Sequence, residues 1–365
     1  MLEANTSQWA DRECLVLGKK RITYLELQKR VDSTASMLQS QYKISKGDRV
    51  AILAANSPEW VISFFAITRI GGIVSALNGW WTETEISHAI ELTAPSLIIG
   101  DTRRLARAGS LLEQFPVIDI DHSPSLFEPI GDSPTEITID EDDPALIRFT
   151  SGTTGKSKGA LLSHRSLIGF VDGTIHNGYE KKLIALKILD IDPSSIPSSQ
   201  EVVLATSPLF HISGLPAGVL MNMTNGAKLI FRSGRFDPAD VLKLIEQEQI
   251  TSWTAIGDMG PRVMSHPDFA IRDTSSLSRV SSGGAHLSEN MQKMIAEHFP
   301  QAAAAIGQGY GSSESCSVIS SIGGQDFKDY PSSAGRACLG HEIEIRDASN
   351  NPLPEGEEGE IHVRS

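Results

Sequence analysis

Phe149-Thr150-Ser151-Gly152-Thr153-Thr154-Gly155-Lys156-Ser157-Lys158-Gly159 gathers three glycines, two lysines and the hydroxyl side chains at 150, 151, 153 and 154 into eleven residues. Glycine lets the backbone adopt positive φ and turn its N–H groups toward an anion, hydroxyls donate to phosphate oxygens, and lysine ammonium groups neutralise them. The stretch therefore has the chemistry of a polyphosphate cradle. Ala145-Leu146-Ile147-Arg148-Phe149 before it reads as a short buried strand, so the loop is predicted to leave the end of a strand, where open α/β folds bind their ligands. Only half of the pattern G-x-x-x-x-G-K-[ST] is met. Gly155-Lys156-Ser157 fits, but the first glycine falls on Thr150, which tells against a P-loop phosphotransferase. A plain surface loop rich in Gly, Ser and Thr is the competing account, and it gives no reason for two lysines to follow an apolar strand.

Working outward, the first third alternates helix and strand patterns. Thr23-x-x-Glu26 is a capping box opening a helix to about Leu38, and Arg49 to Ala54 is a short β-type run. Asn56-Ser57-Pro58-Glu59 supplies a cap, a first-turn proline and an early acid ahead of Val61, Ile62, Phe64, Phe65 and Ile67 at helical spacing. Strand-like Gly72 to Leu77, a second capping box at Thr82-x-x-Glu85 and strand-like Leu97-Ile98-Ile99 continue the order. Repeated β-α-β order predicts a mostly parallel sheet covered by helices. Pro-, Asp- and Ser-rich stretches at 121–144 and 190–200 interrupt it. The alternation then resumes with 202–205, 228–231, a helix over 237–249 and a strand over 252–256. His341 to Arg346 and Gly359 to Arg364 alternate apolar and polar residues across a Pro/Gly turn, as antiparallel strands do. The predicted fold is α/β. It comprises a first lobe over 1–200, a second over 201–330, and a small antiparallel, barrel-like region over 331–365.

A chain of 365 residues, 40% hydrophobic and 21% charged, is long enough for more than one lobe and can bury a sizeable core. The net charge of −13 argues against a nucleic acid or an anionic membrane as partner, so any anionic ligand must be held by local groups. Cys14, Cys316 and Cys338 show no metal or CxxC spacing and read as reduced thiols of a cytoplasmic protein. The N-terminus lacks the pattern of a signal peptide. The apolar run 61–77 is broken by Arg69 and Gly71-Gly72, and is too short to span a bilayer. Oligomeric state leaves no mark in the sequence.

Four further stretches bear on chemistry. Ser207-Pro208-Leu209-Phe210-His211-Ile212-Ser213-Gly214 follows a strand and sets an aromatic ring and an imidazole at its end; a helix start with a core Phe and a satisfied His is the simpler reading taken alone. Ser281-Ser282-Gly283-Gly284-Ala285 has paired glycines on which a flat ring could lie. Gly307-Gln308-Gly309-Tyr310-Gly311-Ser312-Ser313-Glu314 offers an aromatic ring for stacking, a hydroxyl for phosphate and a carboxylate for Mg2+. Gly335-Arg336 says little by itself.

In this order, the Ser/Thr/Gly/Lys loop, P-L-F-H-x-x-G, G-G-A, G-Y-G-x-S-E and G-R ahead of paired strands resemble the large N-terminal domain of the adenylate-forming superfamily. The resemblance runs over essentially the whole chain. The P-L-F-H-x-x-G form and Asn78-Gly79-Trp80-Trp81 look most like the fatty-acyl-CoA synthetase branch. What it implies is activation of a carboxylic acid, a fatty acid by that branch's pattern, by ATP and Mg2+ to an acyl-adenylate, followed by transfer to CoA. By the same resemblance Thr150, Ser151, Gly152, Thr153, Thr154, Gly155, Lys156 and Lys158 would grip the outer phosphates. Gly283, Gly284, Ala285 and Gly309, Tyr310, Gly311 would sandwich adenine. Ser313 would reach the α-phosphate, Glu314 would hold Mg2+, and His211 would border the acyl carboxylate. Phe210, His211, Trp253 and Met259 would line the acyl pocket, with core packing an equal account of Trp253 and Met259.

Ser157 stands where most members have proline, and Ser313 where most have threonine. No part of the chain matches the family's ribose-binding aspartate motif or its lysine-bearing small C-terminal domain. The expectation is therefore a fragment impaired in turnover on its own. A non-catalytic module that binds nucleotide or acyl-adenylate, and a ligase for aryl or short-chain acids or for a carrier-protein thiol, remain as alternatives.

Overall fold

The computed structural model describes residues 1–131, 133–150, 156–188, 190–192, 199–283 and 287–364. Among them, two six-stranded sheets carry the fold. The first has the spatial order Val117–Asp119, Leu97–Gly100, Arg49–Leu53, Ile73–Ala76, Pro144–Thr150, Lys158–Ser163. All its pairings are parallel except the last, the hairpin of Pro144–Thr150 with Lys158–Ser163. The second has the order Arg279–Gly283, Ser252–Ile256, Val202–Leu204, Lys228–Phe231, Glu13–Leu17, Lys20–Thr23, again parallel up to a terminal hairpin. Central strands such as Arg49–Leu53 and Ile73–Ala76 are buried on both faces, which is why they read as continuous apolar runs.

The helix Pro58–Arg69 joins the sheets. Trp60, Val61, Ile62, Phe64, Ala66 and Ile67 are all buried in the largest core cluster. The helix packs against Glu13–Leu17 of the second sheet and against Arg49–Leu53 and Ile73–Ala76 of the first. A helix whose residues are nearly all buried has no solvent face, so its place is between layers, and its charged residues are paired, Glu59 with Lys20 and Arg69 with Asp32 and Glu3. Its start is set by Ser57, whose hydroxyl accepts from Trp60 N at 3.2 Å, with Pro58 in the first turn. Asn56, read from the sequence as part of the cap, does something else. Its Nδ2 donates to the Ser207 carbonyl at 2.7 Å and its Oδ1 accepts from Leu209 N at 3.0 Å. Thr23 and Glu26 form the predicted capping box of the helix Tyr24–Ser40. At Thr82 the Glu85 carboxylate takes both the amide and the hydroxyl, each at 2.8 Å.

Two boundaries differ from expectation. Sheet membership does not divide at residue 200, because the hairpin of Glu13–Leu17 and Lys20–Thr23 completes the second sheet, with Leu15 opposite Leu229 and Leu17 opposite Phe231. Without it the apolar strand Lys228–Phe231 would be an open edge, which folded chains avoid. Antiparallel structure also begins well before 331. Gly307–Ser312, Ser317–Gly323 and Arg336–Ala337 form one antiparallel sheet, and Glu342–Arg346 pairs with Glu360–Arg364 in another, as expected. The long helix His164–Ile188 had no sequence-based expectation. No helix among the described residues is long and apolar enough to cross a membrane.

Asn56→Ala removes the three cross-sheet bonds of that side chain, to the Ala205 and Ser207 carbonyls and from the Leu209 amide, and leaves that amide without its acceptor. Stability is expected to fall by about 1–3 kcal/mol, read as a lower urea midpoint. An unchanged midpoint would show that Asn56 does not tie the two sheets.

Candidate active site

The loop that opens the sequence reading is the connection of a hairpin. Thr150 pairs with Lys158 and Phe149 with Gly159, so the strand register fixes both ends of the loop. Lys156 and Lys158 are exposed. Ser151, Gly152, Thr153, Thr154 and Gly155, like Gly284 and Ala285, lie outside the described residues. His88, on the helix Glu83–Thr93, holds the exit of the loop by donating from Nε2 to the Ser157 carbonyl at 2.9 Å.

The segment Pro208 to Gly214 faces the hairpin across the seam between the sheets. Asn56 clamps its start, and the turn closes with Gly214 N donating to the His211 carbonyl at 3.0 Å. A Cβ on residue 214 would fall on the Pro208 carbonyl oxygen, which explains the glycine of the P-L-F-H-x-x-G pattern in purely steric terms. Phe210 is buried and packs on His211 with ring centroids 4.6 Å apart. Trp80 meets Phe210 edge-on at 5.4 Å, and its neighbour Trp81 meets Phe149 at 5.1 Å. The Asn78-Gly79-Trp80-Trp81 run thus bridges the hairpin and the Phe210-His211 segment.

Ser313 enters the seam from the third element. It sits on the turn after Gly307–Ser312, and its Oγ accepts from Arg148 Nη2 at 3.1 Å. Arg148 is the residue that sequence reading missed. It is 1% exposed, on the strand face it shares with Leu146 and Thr150. Its one visible signal was a charged residue inside an otherwise apolar strand. Burial lowers its pKa, with the Cys316 thiol and the Glu314 carboxylate acting the other way. Burial, and then the Arg148 charge, hold His211 below the usual imidazole pKa, so the ring is neutral at pH 7. Burial pushes the Cys316 thiol up to about 11, which keeps it protonated and unreactive. Glu314 is exposed beside Ser313.

Tyr310 is 40% exposed on Gly307–Ser312, which packs beside Arg279–Gly283, so Tyr310 and Gly283 come to neighbouring strands. The register shifts between Tyr310 and Gly311, the kind of irregularity that re-aims a side chain next to a site. Gln308, also missed from sequence, braces this wall: Oε1 accepts from Leu287 N at 3.0 Å and Nε2 donates to the Ser333 carbonyl at 2.6 Å.

Trp253 and Met259 are not brought to this seam. Trp253 is fully buried in the core of the second sheet and donates from Nε1 to Thr206 Oγ1 at 3.0 Å, and Met259 packs against the same core. Core packing accounts for Trp253. Nearby lies a void of about 10 Å3 lined by residues including Gly257, Gly260, Met264, Val280, Met291 and Phe299, room for about one water.

A family model described as AMP-binding enzyme matches residues 2–365. The chain belongs to that family. It is 28% identical to a feruloyl-CoA synthase from Amycolatopsis sp over 351 residues, 95% of this chain and 65% of that protein. It is 30% identical to 4-coumarate--CoA ligase 3 from Arabidopsis thaliana over 343 residues, 90% of this chain and 58% of that protein. The chain therefore spans a little under two thirds of the length of these curated relatives. Among solved structures, the N-terminal domain of FACL13 from Mycobacterium tuberculosis superposes with a TM-score of 0.84 at 24% identity, covering 100% of this chain and 87% of that one.

His211 and His164 are both held below the ordinary imidazole pKa chiefly by burial, so the unfolded chain binds protons more tightly than the folded one. Their contribution to stability is complete above about pH 6.5 and is lost as pH falls through the depressed folded values. Exposed His122 beside Asp119 shifts upward and opposes this weakly. The melting temperature is expected to drop between pH 7.5 and 5, and His211→Gln and His164→Gln each to flatten the profile. A wild-type profile that is flat or rises on acidification would contradict the assignment.

Proposed function

We propose that this chain activates a carboxylic acid with ATP to an acyl-adenylate and passes the acyl group to the thiol of CoA, in a cytoplasmic setting. The observation that supports this best is the bond between Ser313 and Arg148, on the strand that leads into the loop, with His211 close enough to feel the Arg148 charge, in a chain whose curated relatives include CoA ligases. In the first step a carboxylate oxygen bonds to the α-phosphorus while the bond to the bridging oxygen of pyrophosphate breaks. In the second the thiol sulfur bonds to the acyl carbon, loses its proton, and AMP leaves. The first step needs no protein nucleophile, only in-line placement and charge neutralisation.

Each residue then has a task. Lys156 and Lys158, with the hydroxyls and amides of the loop, hold the outer phosphates. Tyr310 and Gly309-Gly311 form one wall for adenine and Gly283 to Ala285 the other. Ser313 donates to the α-phosphate. Neutral His211, stacked on Phe210, borders the acid's carboxylate without adding a competing charge. Glu314 would hold Mg2+, and when bound the ion neutralises charge on the leaving pyrophosphate. Among the described residues no three His, Cys, Asp or Glu side chains gather closely enough to hold a metal. The donor set therefore suits an ion that keeps phosphate and water oxygens as most of its ligands, as Mg2+ does.

For the acid, the sequence pattern points to a fatty acyl group, whereas the curated relatives above are a feruloyl-CoA synthase and a 4-coumarate--CoA ligase. Their alignment over 95% and 90% of this chain favours the second reading. Calorimetric titration of the chain with non-hydrolysable decanoyl, feruloyl and acetyl adenylates, against AMP, tests function and acid together. Acyl-dependent tightening relative to AMP is expected, largest for feruloyl. No binding of AMP or of any adenylate would remove the proposed function.

Lys156→Ala combined with Lys158→Ala is expected to weaken ATP by about tenfold or more while leaving AMP within about twofold, because only ATP carries the outer phosphates. Equal losses for both nucleotides would remove the lysines from that role.

A further inference from the structure

Arg148 stands out from the other cations of the chain. It is 1% exposed, yet Ser313 Oγ is its only hydrogen-bond partner among the described residues, and its Nε and Nη1 have none. A guanidinium taken out of water and left without a counter-charge is among the most costly arrangements a core can hold. The surrounding seam does not relieve it: Leu146, Phe210 and Cys316 belong to the apolar core there, and Glu314 influences it only through space while itself exposed. Arginine is the side chain suited to this task, since it stays charged when desolvated and offers several donors in a fixed plane. An arrangement of this kind persists where a ligand completes it.

We propose that Arg148 is an oxyanion seat at the reacting centre, its free Nε and Nη1 donors taking an oxygen of the α-phosphate or of the acid's carboxylate beside Ser313 and His211. This rests on the function proposed above. Both anions must lose water to react, and a buried fixed cation acts on them without reorganisation. Ser313 bonds to Arg148 now and would share the same anion with it. The apolar seam strengthens the attraction by lowering the local dielectric.

The test separates binding from folding. In Arg148→Met the unligated melting temperature is expected to hold or rise, because an uncompensated buried charge is replaced by a side chain that suits the seam. AMP, decanoate and ferulate are then titrated singly into wild type, Arg148→Met and Arg148→Lys. A loss of about ten- to a hundredfold for AMP assigns the α-phosphate, and a loss for the acids assigns the carboxylate. Arg148→Lys, which keeps the charge but not the planar donors, is expected to lose less. Equal affinities in wild type and Arg148→Met would overturn the proposal. So would a marked drop in melting temperature or failure of Arg148→Met to fold, which would make Arg148 a structural group. If wild type itself binds neither AMP nor acyl-adenylate, the proposed function falls, and that outcome is distinct from a wild type that binds and a variant that binds equally.

Discussion

A helix without a polar face has to be covered on every side, and Pro58–Arg69 meets that demand by lying between two sheets. The rest of the architecture follows from its position. The strands Arg49–Leu53 and Ile73–Ala76 cover it from one side and the N-terminal strand Glu13–Leu17 from the other, so residues far apart in sequence enter one core cluster. Three consecutive residues at its start divide the work. Ser57 satisfies an amide of the first turn, Pro58 fixes the backbone there, and Asn56 turns its amide group outward to hold the segment leading to Phe210 and His211. The helix entry is thus also the anchor of the candidate site, and burial energy that fixes the sheets also fixes where the imidazole stands.

The same apolar seam that makes the helix stable makes Arg148 unstable. In water a guanidinium beside Ser313 would attract an anion weakly; buried in an apolar core it attracts one more strongly, because among the described residues Ser313 is its only hydrogen-bond partner and Glu314 acts on it only through space. His211 responds to the same conditions in the opposite sense, staying neutral under burial and the nearby cation. One fixed positive charge, bonded to Ser313, thus stands close enough to an uncharged ring to help keep that ring neutral.

Local rules were legible and long-range ones were not. Thr23 with Glu26, Ser57 with Pro58, and the apolar strands at 49–53, 73–76, 97–100 and 144–150 are where short-range patterning placed them, because capping and strand propensity act over a few residues. That Glu13–Leu17 completes a sheet whose other members begin at Val202 depends on covering an edge almost two hundred residues away in sequence, and no local pattern encodes it. Gly307–Ser312 was noticed for its glycines and tyrosine, yet its pairing with Ser317–Gly323 was hidden, since glycines mask the alternation that marks a strand. Trp253 was read as either a pocket wall or a core residue; it is fully buried and bonds to Thr206 in the core of the second sheet. Arg148 was hidden for a different reason. The strand that contains it was read as buried, but a single arginine among apolar residues gave no sign of its role until coordinates showed it buried with Ser313 as its partner.

The division between the two cores also bears on how substitutions in such a chain combine. Arg148, Phe210 and His211 stand at the seam governed by the helix Pro58–Arg69, whereas the small void near Met264, Val280 and Phe299 belongs to the separate core of the second sheet. A substitution at Met264 changes the volume of the void and leaves the bonds of Asn56 and Ser313 untouched, because their partners Ala205, Ser207, Leu209 and Arg148 lie outside that core. Effects at sites without shared partners are close to additive. The packing around Arg148 and Ser313 and the packing around the void can therefore change independently, because each answers to its own core.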